Sequence, residues 1–172
     1  MNKAELETLI KDAFRGVHLG KGCSLRDAET ADNWGKSGLD QDLVSFPDVE
    51  TKDDCSSLSL RTLDRYPYLA HMDAEGLRYY IPAFMLSILA DDNYSSMRFI
   101  CTLSALYPSR KEANLERWNY HVGLYSLLDG EQRSAITAFL DALPVLAKID
   151  PGDVKSIERA LRNYWHQFLL VS

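Results

Sequence analysis

The sequence predicts a mainly α-helical single domain, formally α+β, in which a helical bundle carries one small β-hairpin around residues 68–81. Three observations lead there: apolar residues recur at intervals of three and four in several segments, capping residues stand at the starts of those segments, and one stretch around Gly76 alternates with a period near two. The chain has 172 residues with 46% apolar and 26% charged side chains. That is the composition of one compact domain, expected to bury roughly 70% of its unfolded surface.

Asn2 followed by Glu5 matches a capping box, and Leu6, Leu9, Ile10, Ala13, Phe14 and Val17 extend one apolar face, so a helix is predicted from Lys3 to Val17. Gly16, Gly20 and Gly22 close it, and Ser24 with Asp27 starts a shorter helix toward Trp34. Residues 35–57 are rich in Gly, Asp and Ser without a sustained apolar period, and are predicted as a long acidic loop. Leu58, Leu60 and Leu63 line a short helix that ends before Pro67. The segments Tyr68 to Met72 and Leu77 to Ile81 flank Asp73-Ala74-Glu75-Gly76 and read as the two strands of the hairpin.

Pro82 then suits the first turn of a helix running to Ala90, and a further helix spans about Ser95 to Leu106 before Pro108. Residues 107–121 read as irregular or weakly helical. Asp129 with Gln132 caps a helix from Gly130 to about Ala147, kinked or ended by Pro144, and Asp153 is expected to cap the last helix, whose stripe is Val154, Ile157, Leu161, Tyr164, Trp165 and Phe168. No repeat or internal linker divides the chain.

The N-terminal residues lack the basic start and apolar run of a secretion signal, and no stretch approaches the ~20 apolar residues of a spanning helix, so a cytoplasmic protein outside the membrane is expected. Cys23, Cys55 and Cys101 are too widely spaced for a zinc site and read as reduced thiols. The net charge is −6, from 19 Lys plus Arg against 25 Asp plus Glu. Its distribution is uneven: residues 39–54 carry Asp40, Asp42, Asp48, Glu50, Asp53 and Asp54 against Lys52 alone, a local charge of −5. With no run of clustered cations in the sequence, nucleic acid is not an expected partner.

Three blocks carry a resemblance. Asp73-Ala74-Glu75-Gly76-Leu77-Arg78-Tyr79-Tyr80-Ile81-Pro82-Ala83-Phe84-Met85, Tyr125 through Gln132, and Ala135 through Leu140 together resemble a family of small bacterial proteins of unknown function. The first block follows that family's Asp-x-Glu-Gly-Phe-Arg-Phe-Tyr-Leu-Pro-Ala-Tyr-Met pattern, and the chain departs at Asp129-Gly130, where the family more often has Thr-Pro. The likeness covers roughly residues 1–145. It implies a bacterial, helix-rich, cytoplasmic domain and brings no established activity or catalytic residue.

Four sets of residues are candidates for function. His71, Asp73 and Tyr79, with Glu75, surround the predicted hairpin, where a carboxylate could orient the imidazole for acid–base work, although no nucleophile or third partner accompanies them. His18, His71, His121 and His166 have no second ligand at metal-binding spacing, so no metal and no cofactor is expected. Trp118 and Tyr120, beside His121 and Tyr125, suit an interface anchor and a core contact equally. The carboxylates of residues 40–54 repel one another and are the feature least explained by folding. The leading expectation is therefore a non-enzymatic protein-binding protein that meets a basic partner through Asp40, Asp42, Asp48, Glu50, Asp53, Asp54, Trp118 and Tyr120. In its most specific form this is a bacterial immunity protein that neutralises a cationic toxin. The alternatives are an enzyme with a pocket formed by His71, Asp73 and Tyr79, or a structural subunit.

Overall fold

The computed structural model describes residues 1–32, 58–91 and 93–169, with the side chains of residues 30–32 excepted. The acidic segment, and with it Asp40, Asp42, Asp48, Glu50, Asp53 and Asp54, lies outside the described residues. The helices are α1 (Lys3–Ala13), α2 (Leu25–Asp32), α3 (Leu60–Arg65), α4 (Ala74–Ala90), α5 (Met97–Ala105), α6 (Leu115–Leu124), α7 (Gly130–Leu146) and α8 (Pro151–Asn163), with short 3-10 turns at Leu69–His71 and Trp165–Phe168.

Where strong caps coincide with apolar periodicity, the helices begin as the sequence predicts. Asn2 and Glu5 exchange both bonds of a capping box at α1, and Asp129 and Gln132 do the same at α7. α1 stops at Ala13, short of Val17, because the chain turns through Gly16 and Gly20 at φ of 73° and 60°, a region that only glycine enters without strain. Asp150, not Asp153, caps α8: its carboxylate accepts the N–H of Gly152, and Pro151 takes the first helical position where its missing donor costs nothing. Within residues 107–121, read as irregular or weakly helical, a regular helix begins at Leu115 and runs on as α6, started by Asn114 accepting the N–H of Arg117 at 2.9 Å.

The β-hairpin does not form. Among the described residues there is no strand, and the segment read as a hairpin is a 3-10 turn followed by the first turns of α4. Asp73 is the N-cap of that helix, its Oδ1 accepting the Gly76 N–H at 2.7 Å, so Asp73-Ala74-Glu75-Gly76 is a helix start rather than a strand turn. Pro82, read as a helix opener, sits well inside α4, which therefore lacks the bond its N–H would have donated to Arg78. The physical reason is burial. Twelve of the seventeen residues of α4 are buried, so the helix is apolar on nearly every side and loses the 3.6-residue signature that separates a helix from a strand. Packing of Leu77, Tyr79, Tyr80, Ile81, Phe84, Met85 and Ile88 into the core outweighs the cost of the proline.

α4 and α7 form the two sides of the core, and α1 packs on both. α5 covers α4, while α8 and the final 3-10 turn cover α7. Pro144 is likewise accommodated within α7, which continues to Leu146.

Three side chains, two from the end of α8 and the turn after it and one from the end of α6, fasten onto the end of α5 and the residues just after it. Trp165 donates its indole N–H to the Leu106 carbonyl at 2.8 Å, Tyr125 its hydroxyl to the Ala105 carbonyl at 2.7 Å, and Asn163 its amide to the Pro108 carbonyl at 2.9 Å. These bonds place the end of α8 beside residues 107–118. No helix among the described residues is long and apolar enough to cross a membrane.

Candidate cationic groove between the α6 start and α8

The groove so formed has a volume of about 960 Å³. Arg110, Lys111 and Arg117 come from the turn before α6 and its first turn, and Arg159 and Arg162 come from α8. Among the described residues Glu112 is the one carboxylate that lines it. All five cations are exposed, and among the described residues none of them forms an ion pair. Five positive charges gathered in one concavity raise the local positive potential and favour an anion there, even on a chain of negative net charge.

Tyr107 and Trp118 are half-buried in the same groove. Trp118 meets Tyr164 edge to face, with ring centroids 5.8 Å apart. Tyr164 is held in turn by Arg133, whose Nη1 donates to its hydroxyl at 2.9 Å, while Nε and Nη2 donate to the carbonyls of Leu128 and Tyr125, each at 2.9 Å. Burial pushes the Tyr164 hydroxyl above its ordinary range, and the Arg133 charge partly offsets that. The groove's aromatic wall is thus braced from the core and not left to rotamer freedom.

The residues singled out in the sequence fare unequally. Trp118 lines the groove, while Tyr120 does not: half exposed, it donates its hydroxyl to the Ala70 carbonyl and ties α6 to the 3-10 turn at Leu69–His71. His121 is buried, with Nδ1 2.9 Å from the Arg117 carbonyl and Nε2 3.4 Å from the Ser104 carbonyl, which makes it a strut between α6 and α5. His71, Asp73 and Tyr79 do not converge. His71 is exposed on a shallow depression of about 490 Å³ shared with Asp64, Met97 and Cys101. Tyr79 is 0% exposed and stacks edge to face on Tyr80. The Asp73 carboxylate is committed to the N–H groups of Gly76 and Cys23. In that same loop burial, with Asp27 and Asp73 adding to it, raises the Cys23 thiol above its usual range, which disfavours the thiolate form. Among the described residues no group of three or more His, Cys, Asp or Glu is placed to hold a metal ion.

Sequence reasoning missed all five cations, because α7 separates the two segments that contribute them; of the residues lining the groove only Trp118 was singled out.

A helical bundle with a cationic, aromatic-walled groove is the class that fold and site define. The profile of a family of unknown function (DUF6714) matches residues 2–169, and the chain belongs to that family. No curated protein and no solved structure matches it.

Proposed function

We propose that this protein is a non-enzymatic binding protein that recognises its partner by charge, and that the groove between the start of α6 and α8 is its site for an anionic ligand. The observation that carries this reading is the set of five exposed cations, Arg110, Lys111, Arg117, Arg159 and Arg162, which find no carboxylate partner among the described residues. Like charges so gathered repel one another, and a bound anion relieves that repulsion. Arginine predominates, and its planar fork suits bidentate contact with phosphate or carboxylate. Calorimetric titration with inorganic triphosphate tests it. Binding that weakens steeply with added salt, and is lost in the double variant Arg110→Ala/Arg159→Ala, supports the reading. The absence of heat at low salt overturns it.

The charge of −5 on residues 39–54 favours a second reading, in which this acidic segment docks a basic protein. A bacterial immunity protein covering a cationic toxin in the cytoplasm is its most specific form. Replacing Asp40, Asp42, Asp48, Asp53 and Asp54 with Asn should slow association with a poly-lysine peptide and flatten its salt dependence. Unchanged rates would remove the segment from consideration.

A further inference from the structure

The groove holds two kinds of side chain that a simple anion would not use together. Arg110, Arg117, Arg159 and Arg162 offer guanidinium forks, while Tyr107 and Trp118 offer aromatic surface on the same concavity. An acidic peptide would engage the first kind and leave the second idle; a neutral aromatic ligand would leave the cations unmatched. From this combination we infer that the groove takes a nucleoside di- or triphosphate, with the phosphates among the arginines and the base against Trp118.

Three further features agree. The volume, about 960 Å³, lies at the upper end of what small-ligand pockets occupy, so a nucleotide fits with room for water. Trp118 is braced by Tyr164, itself fixed by Arg133, so the stacking surface is preorganised and little side-chain entropy is lost when a ring docks. The net charge of −6 argues against a long nucleic acid, since a polyanion extending past the groove meets a surface that is negative overall. Phosphate recognition here relies on side chains from two elements, and no glycine-rich phosphate loop is needed.

This inference rests on the proposal that the groove binds anions, and a titration that separates the two uses tryptophan emission with ATP, inorganic triphosphate and adenosine. ATP is expected to bind with a change in emission that disappears in Trp118→Phe, a substitution that keeps an aromatic ring against Tyr164. Triphosphate should bind more weakly, by a factor on the order of ten, and adenosine alone should not register. The double variant Arg159→Ala/Arg162→Ala should lose ATP by at least that factor while retaining the wild-type thermal transition. Triphosphate binding as tightly as ATP, with emission unchanged, would overturn the nucleotide and leave the anionic groove standing. Binding of neither would overturn both. An oligonucleotide whose affinity climbs with every added residue would overturn the mononucleotide in favour of a strand.

Discussion

The carbonyl oxygen of Cys23 lies 2.7 Å from the point where a β-carbon on Gly76 would stand. One turn earlier the Asp73 carboxylate accepts the Cys23 N–H at 3.1 Å and 3.2 Å while also capping α4. Asp73 and Gly76 therefore act together, starting α4 and clamping the loop before α2 onto it. Gly76→Ala must push the Cys23 backbone away, and is expected to destabilise the protein by about 1–3 kcal/mol. Gly130→Ala, at the start of α7 with nothing within 4 Å of the new methyl group, should stabilise it by roughly 0.5–1 kcal/mol. Urea unfolding of the two variants beside the parent checks both signs.

Arg98 is 1% exposed and ion-paired to Asp91 at 2.6 Å and to Asp64 at 3.2 Å, both of which reach solvent. A buried guanidinium stripped of a partner costs more than a carboxylate that can turn to water. Asp91→Asn should therefore destabilise by about 1–3 kcal/mol, whereas Arg98→Met should be close to neutral. Equal losses in thermal denaturation would mean that the pair, rather than the buried charge, controls stability there.

Tyr125 is buried and donates its hydroxyl to the Ala105 carbonyl, and burial, with Tyr164 and Tyr120 adding to it, raises its ionisation well above the ordinary 10.0. The unfolded chain thus releases this proton first. Stability is unaffected by Tyr125 ionisation at neutral pH and falls as pH climbs above about 10, where the unfolded state gains from ionisation and the folded state does not. Tyr125→Phe should cost about 1–3 kcal/mol at pH 7 by leaving the Ala105 carbonyl unpaired, and the gap to the parent should narrow at higher pH. Parallel melts across that range decide it, and a gap that widens would contradict the assignment.

The contrast between α7 and α4 shows what can be seen in the sequence. α7 has a polar face, so Ile136, Phe139, Leu140 and Leu143 mark its period and Asp129 with Gln132 marks its start. In α4 the cap was equally present at Asp73, but near-complete burial erased the period, and the aromatic run Tyr79-Tyr80-Ile81 before Pro82 mimicked a strand. The groove was half visible. Trp118 stood out as a candidate, whereas Arg159 and Arg162 look like ordinary solvated residues of an amphipathic helix until Asn163 and Trp165 dock the end of α8 against the segment after α5. Tertiary convergence of this kind leaves no mark on local spacing.

Backbone amide shift mapping during a titration with inorganic triphosphate reports the location of an anion directly, whatever its affinity. Perturbations concentrated at Arg110, Lys111, Arg117, Trp118, Arg159 and Arg162, and absent from Arg110→Ala/Arg159→Ala, are the predicted result. Shifts that gather elsewhere, or none at saturating anion, would contradict the claim that this groove is where the protein meets its ligand.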